Sequence, residues 1–132
     1  MPQSPPPECD VPPTVPRLDR PLFLVTCRDG PDSGEARRRH LDGHLAHVEA
    51  HWRRYVLAGP LREPGAAGLS GSYFLVLADD VADARALMAG DPYVSSGMYA
   101  STEVLEATAS IGLHLGGKIW ADADSIRAKA AG

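Results

Sequence analysis

The first element of the fold lies in residues 21–32, which read PLFLVTCRDGPD. Residues 22–27 are apolar and rich in β-formers, and residues 29–32 are turn formers, so the stretch predicts a strand that ends in a tight turn. Eight of the chain's 12 prolines fall within residues 1–21. Because each proline removes an amide donor and restricts the residue before it, residues 1–20 are predicted to form a proline-rich extension. A folded domain is expected over 21–120 and a C-terminal tail over 121–132.

Composition indicates one small domain, since 44% of the 132 residues are hydrophobic and 23% are charged. The net charge is −4, and the basic residues form no extended stripe, which argues against a nucleic-acid partner. The short basic run at 37–39 is interpreted as a solvated helix face. No apolar stretch approaches the ~20 residues that span a bilayer, and no secretory leader is recognised. With Cys9 and Cys27 forming no disulfide framework, a cytoplasmic protein without a membrane partner is expected.

The remaining elements follow from hydrophobic periodicity. Ser33 is predicted to cap a long amphipathic helix over 35–54, whose apolar residues are Leu41, Leu45, Val48 and Trp52. Strands are predicted at 55–58, ended by a Gly-Pro pair, and at 71–78. A second helix runs from 81 to its stop at Gly90, a last strand covers Tyr99–Ala107, and residues 111–120 are expected to cross or extend the sheet.

The predicted order is β, α, β, β, α, β. This order is typical of the α+β, ferredoxin-like fold, in which two helices cover one face of a four-stranded antiparallel sheet. The other face needs a cover, and a domain of about 100 residues gains most from a second copy of itself. A homodimer is therefore expected.

Four histidines, His40, His44, His47 and His51, lie at i, i+4, i+7 and i+11 of the first predicted helix. They span an arc of roughly 60°, and His44 is the nearest to the apolar side. Three interpretations are open for this histidine stripe. Its members could be half-exposed polar residues, a zinc or copper site formed by histidines one turn apart, or the source of one general acid or base at the edge of the core.

A general base needs a carboxylate partner, and Asp91 is the natural candidate. Pro92 forces an extended backbone at Asp91, which presents the carboxylate from a rigid turn. A plain turn or capping role for Asp91 is an equally simple interpretation. Both predicted helices pack on one sheet face, so a hydrogen bond from His44 to Asp91 is geometrically allowed. Tyr93 adjoins this pair and could donate to a substrate oxygen.

Five groups of residues carry a resemblance to a known family: HLAHVEA at 44–50, AGPL at 58–61, GS at 71–72, DPY at 91–93 with SG at 96–97, and GGKIW at 116–120. In this order they resemble the YCII-related (YciI-like) family. The resemblance implies a ferredoxin-like fold that pairs its sheets into a dimeric α+β barrel. It also implies that His44 and Asp91 are the catalytic pair. The family often carries an arginine three residues before its histidine, a position that Leu41 holds here.

The resemblance further implies cofactor-independent proton transfer, because a characterised branch eliminates hydrogen chloride from a chlorinated hydroxyhydroquinone. The chain is thus predicted to be a small-molecule enzyme of the lyase or isomerase type that acts on a cyclic or enolisable substrate in bacterial specialised metabolism. His44 and Asp91 are assigned as catalytic and Tyr93, His47 and Ser72 as substrate-binding, with no metal ligand and no cofactor. The alternative is a non-catalytic small-molecule-binding or assembly module of the same fold.

Overall fold

The computed structural model describes residues 18, 20–113, 117–118, 122–124 and 127–128. Most of the predicted proline-rich extension, Trp120 and most of the predicted C-terminal tail lie outside these described residues. Residues 20–107 form one compact unit, and the described residues outside this range belong to a second unit. The division of the chain at residues 20 and 120 stays a prediction.

Four strands and four helices make up the first unit, and a short 3₁₀ turn at Trp52–Arg54 leads into the second strand. In chain order they are β1 (Leu22–Asp29), α1 (Ser33–Arg39), α2 (Leu41–Ala50), β2 (Tyr55–Leu61), β3 (Gly71–Leu77), α3 (Val81–Ala89), α4 (Pro92–Ser95) and β4 (Tyr99–Ala107). The strands form one sheet in the order β2-β3-β1-β4, and all neighbours are antiparallel. The predicted ferredoxin-like α+β fold is confirmed.

The core follows from the alternation of side chains along the two central strands. Phe23, Val25 and Cys27 of β1 are buried, and they pair in register with Val76, Phe74 and Ser72 of β3. The buried face of α3 packs against them through Ala84, Leu87 and Met88. The helices therefore cover this face of the sheet.

The opposite sheet face carries a continuous apolar row. Leu57, Leu75, Leu24 and Leu105 occupy matching register positions across β2, β3, β1 and β4. Leu57 is 59% exposed and Leu105 is 52% exposed, while Leu24 and Leu75 are half-buried. We call these four residues the leucine row.

The first predicted helix is wrong as a single element. The chain breaks at His40, whose backbone (φ −104°, ψ 10°) ends α1 and precedes α2. Asp32, not Ser33, holds the N-cap position of α1. No residue of α2 is buried, and Trp52 is 63% exposed, because the apolar side of this segment faces a cavity instead of the core.

Strand β2 does not stop at Gly59-Pro60, as the sequence suggested, but continues to Leu61. Proline lacks the N–H that a central strand would need, yet β2 is an edge strand with only one neighbour. An edge position therefore tolerates Pro60 within the strand.

In the second unit, Ile111–Gly112 pairs with Gly117–Lys118 as a two-stranded antiparallel ladder. The described residues of segment 111–120 thus form a ladder of their own, and the expected extension of the four-stranded sheet is wrong for them. No helix within the described parts of the chain is long and apolar enough to cross a membrane.

Candidate functional site

A cavity of about 580 Å³ lies between the α1–α2 segment and strands β2 and β3. Most of its wall is apolar, including Leu41, Leu45, Val48, Trp52 and Phe74. A few polar side chains interrupt that wall: Arg37, His44, Glu49, Tyr55, Ser72 and Tyr93. An apolar pocket with a small number of convergent polar groups is the usual form of a small-molecule site.

His44 and Asp91 meet at this cavity. Nδ1 of His44 lies 2.8 Å from Oδ2 and 3.0 Å from Oδ1 of Asp91. The Asp91 side chain is fully buried, and the His44 side chain is 17% exposed. The hydrogen bond that the sequence allowed is therefore present.

Asp91 is held in place by the start of α4. It occupies the N-cap position with an extended backbone (φ −88°, ψ 122°), as Pro92 requires, and its Oδ1 accepts the backbone N–H of Tyr93 at 2.9 Å. The carboxylate thus caps a helix and contacts His44 at the same time.

This arrangement decides which ring nitrogen of His44 is free. A carboxylate only accepts hydrogen bonds, so Nδ1 of His44 carries the proton. In the neutral ring Nε2 then holds a lone pair, and within the described part of the chain it has no hydrogen-bond partner. Because His44 lines the cavity, the pair can act as a base through Nε2.

Tyr93 lies against the His44 ring. The two rings stack with centroids 3.9 Å apart and an interplanar angle of 8°. Its hydroxyl donates to the backbone oxygen of Arg37 at 3.1 Å, and burial raises the pKa of the phenol. The expected donation from Tyr93 to a substrate oxygen is therefore replaced by this internal bond.

Arg37 is a site residue that the sequence did not reveal. Its Nη2 donates to Asp29 Oδ1 at 3.0 Å, to the Gly71 oxygen at 3.0 Å and to Ser72 Oγ at 3.1 Å. The side chain is only 16% exposed, so the interpretation of Arg37 as part of a solvated basic face is wrong. Arg38 and Arg39 are exposed, as expected.

Ser72 lines the cavity on the sheet side, and its residue is 4% exposed. Besides Arg37, the hydroxyl of Tyr99 donates to Ser72 Oγ at 2.8 Å. Tyr55 also lines the cavity, and its hydroxyl is the one buried side-chain polar atom of the described residues that has no partner. Burial raises the pKa of both Tyr55 and Tyr99, so both phenols stay protonated.

His47 does not line the cavity. Its Nε2 donates to the backbone oxygen of Leu87 at 2.9 Å, which ties α2 to the end of α3. The structure therefore places His47 away from the position expected of a substrate-binding residue. Its ring lies 4.7 Å from that of His51, and within the described residues no three histidine, cysteine or acidic side chains converge as a metal site would require.

Comparisons with known proteins agree with this fold. A model of the YCII-related domain matches residues 22–108. Protein YciI of Escherichia coli and Protein YciI of Shigella flexneri are each 32% identical over 90 residues, which cover 63% of this chain and 92% of each relative. The structure of 5-chloro-2-hydroxyhydroquinone dehydrochlorinase from Burkholderia phenoliruptrix, in complex with 2,5-dihydroxybenzoquinone, matches with a TM-score of 0.60 at 26% identity. That match covers 70% of this chain and 97% of the dehydrochlorinase. The chain belongs to the YCII-related family.

Proposed function

We propose that this protein is a small-molecule enzyme of the lyase or isomerase type, in which His44 transfers a proton and Asp91 orients it. One observation carries the proposal: Asp91 binds Nδ1 of His44 and so leaves Nε2 as a base at the wall of a cavity. The dehydrochlorinase that shares the fold supports a reaction on a small molecule.

The proposed chemistry needs no redox step. Nε2 of His44 takes a proton from the substrate, and the electron pair of the broken bond forms a new π bond. In an elimination this electron pair expels a leaving group such as chloride, so that one proton and one anion depart. In an isomerisation His44 returns the proton to a different atom of the same molecule. In either case the carboxylate of Asp91 stabilises the imidazolium that forms.

The walls of the cavity support a cyclic or enolisable substrate. The side chains of Leu41, Val48 and Phe74 offer apolar surface for a planar molecule. On the side of the cavity that the sheet forms, we assign Ser72 of β3 as the polar group that binds the substrate.

The pair is tested with His44→Gln and Asp91→Asn. With 5-chloro-2-hydroxyhydroquinone as the test substrate, we expect each change to lower the rate of chloride release at least ~100-fold, as expected for lost acid-base catalysis. His51→Gln is the matched control, because His51 belongs to the same histidine stripe but does not line the cavity. It should keep the wild-type rate.

Wild-type rates in both variants would contradict the assignment of His44 and Asp91. Binding of the test substrate with its unchanged recovery after prolonged incubation would instead indicate the alternative, a binding module without turnover.

We further propose that two copies of the chain pair through the leucine row. Leu57 and Leu105 are large apolar side chains more than half exposed at the two edges of the same sheet face, and Leu24 and Leu75 join them in register. An apolar surface that is continuous across four strands is stabilised by burial. A second copy offers the same surface by symmetry, which suits an isologous dimer.

A reducing compartment suits the buried Cys27. Its thiol is unpaired and accepts a hydrogen bond from Thr102 at 3.7 Å, and burial raises the thiol pKa. A cysteine without a disulfide partner is typical of proteins in a reducing compartment. We therefore propose a cytoplasmic location.

A further inference from the structure

The hydrogen bonds of the Ser72 hydroxyl leave it free to act only as a donor to a further group. A serine oxygen can accept two hydrogen bonds and donate one. Ser72 Oγ accepts from Tyr99 Oη at 2.8 Å and from Arg37 Nη2 at 3.1 Å. Both acceptor positions are therefore filled by protein groups.

The proton of Ser72 is not used by the protein. The nearest acceptor atom is the Tyr99 oxygen, which already uses this contact as the donor, and among the described residues no other acceptor lies within hydrogen-bond distance of Ser72 Oγ, although the residue is almost fully buried. Buried donors are nearly always satisfied, so an unused one needs an explanation. Ser72 lines the same cavity as His44, and a molecule in that cavity would supply the missing acceptor.

We propose that Ser72 donates its hydroxyl proton to a negatively charged oxygen of the substrate, an enolate or phenolate, and that Tyr99 is the positioning residue that fixes this role. This rests on the proposed function, because the cavity and the reacting group are the same. The class of ligand is thus a small ring or enolisable molecule whose oxygen carries charge during the reaction.

The charge of the acceptor follows from the partners of Ser72. A hydroxyl that accepts from two donors, one of them the Arg37 cation, is polarised and becomes a stronger donor itself. Such a donor gains most from an anionic acceptor, because charge-assisted hydrogen bonds are about twice as strong as neutral ones. Removal of a proton by His44 places negative charge on a conjugated oxygen, and Ser72 is fixed in position before that charge appears.

Three hydrogen-bonded residues from different elements fix the position of the Ser72 hydroxyl. Ser72 belongs to β3, Tyr99 to β4 and Arg37 to α1, while Asp29 at the end of β1 pairs with Arg37. Tyr99 keeps its proton because burial raises its pKa, so it remains a donor to Ser72.

The test uses the full chain with 4-nitrophenol, whose ionised form is yellow, and with 4-nitroanisole, which has the same ring but no acidic proton. The affinity for the phenolate and the apparent pKa of the bound phenol are measured by absorbance. We expect the wild type to prefer the phenolate over the anisole and to lower the phenol pKa. Ser72→Ala should weaken phenolate binding ~10-fold or more, which is the lower end for a hydrogen bond to a charged group.

Tyr99→Phe should weaken phenolate binding by about 3- to 10-fold, as expected for one lost neutral hydrogen bond. Affinity for 4-nitroanisole should stay unchanged in both variants. Tyr73→Phe is the matched control, because Tyr73 lies next to Ser72 in β3 and its register position is on the opposite sheet face. It should leave both affinities at the wild-type value.

The proposal is overturned if the wild type does not bind the phenolate, if it binds both probes equally, or if Tyr99→Phe behaves like Tyr73→Phe. His44→Gln separates this proposal from the proposed function. If the phenolate preference survives in His44→Gln and is lost in Ser72→Ala, Ser72 carries it; if the preference persists in Ser72→Ala, another group of the cavity binds the anion and the role of Ser72 is refuted. Catalysis by His44 and Asp91 would stand in that case.

Discussion

Asp91 carries two tasks with one carboxylate. It accepts the N–H of Tyr93 as the cap of α4, and it accepts the Nδ1 proton of His44. Because the side chain is fully buried, each bond replaces water that the carboxylate has lost. The position of the proposed base is therefore fixed by the same residue that begins a helix.

The two tasks can be separated by substitution. Asparagine keeps an oxygen that can cap α4, whereas alanine does not, so Asp91→Ala should lower the free energy of unfolding by ~1 kcal/mol more than Asp91→Asn. Chemical denaturation of the two variants measures this difference. Equal stability of the two variants would show that the cap contributes nothing.

Asp83 gives a pH-dependent contribution to stability. Its Oδ2 accepts the backbone N–H of Asp79 at 2.9 Å, and the Arg54 and Arg20 guanidinium groups lie 2.8 and 3.0 Å away; these contacts lower its pKa below the ordinary value of 3.8. A lowered pKa means that the stabilisation is complete above the unfolded-state pKa and is lost as pH falls through the folded-state pKa.

Asp83→Asn should therefore be less stable than the wild type at neutral pH, and the gap should close as the solution is acidified below the ordinary aspartate pKa. Urea denaturation over an acidic pH series measures the gap. Asp42→Asn, at an exposed position of α2, is the control and should show no such trend. A gap that stays constant down to the lowest pH would refute the role of Asp83.

At the residue scale, His44 and Asp91 could be predicted because their signals are local: helical spacing for the histidine and the following proline for the aspartate. Arg37 and Tyr99 could not, since their contacts with Ser72 join residues 35 and 27 positions apart. No spacing rule connects such residues before the sheet register is known. His47 shows the converse, because a place in the histidine stripe did not reveal that its ring would bind Leu87.

The secondary-structure elements show the same difference between local sequence signals, which could be predicted, and long-range contacts, which could not. The hydrophobic periods of 2 and 3.6 residues are local signals, and they correctly predicted the order of the four strands and the two helical segments between them, although not the break in the first segment or helix α4. The break at His40 has no glycine or proline to mark it. Before the break, Arg37 of α1 is hydrogen-bonded to Asp29 and Gly71. After the break, His44 of α2 is hydrogen-bonded to Asp91. Tertiary contacts on each side of His40 thus accompany the change from α1 to α2.

Gly90 lets α2 and α3 approach each other. A methyl group at this position would lie 2.7 Å from Cε1 of His47, whose ring is fixed by its bond to Leu87. The backbone of Gly90 (φ −75°, ψ −11°) itself suits alanine, so the obstacle is the ring alone. We expect Gly90→Ala to lower the free energy of unfolding by ~1–3 kcal/mol through overpacking.

In a protein that already carries His47→Ala, Gly90→Ala should be neutral or should raise the free energy of unfolding by up to ~1 kcal/mol, since alanine is a better helix former than glycine. Thermal or chemical denaturation of the four proteins completes the cycle. An identical loss in both backgrounds would show that the His47 ring is not the obstacle.

For the whole molecule, the leucine row is the feature with the largest consequence. Leu105→Glu places a charge within the proposed dimer surface, on edge strand β4, where it would lose water without gaining a partner. Light scattering should then show the wild type at twice the chain mass and the variant at the chain mass. Val81→Glu alters an apolar side chain of α3 that is 46% exposed, and it should remain dimeric.

A wild-type protein that sediments as a monomer, or a Leu105→Glu variant that stays dimeric, would contradict the pairing through this face. The expectation of a second copy came from the small size of the domain, from the family resemblance and from the element order, because four strands with helices on one side leave the other side bare. The register that aligns the four leucines could not be predicted, since it depends on the bulge in β2 between Tyr55 and Leu57.

The two hydrogen bonds of Asp91 also predict how the sequence of such a protein would change during evolution if the reaction were lost. A lineage that gave up proton transfer would still benefit from the carboxylate that starts α4, whereas the imidazole of His44 on the cavity wall would lose its main reason to persist. Selection would then release the histidine first and retain the aspartate. Among related chains, replacement of His44 beside an intact Asp91 would mark the loss of the reaction, and an intact Asp91 alone would be evidence only that the fold has been kept.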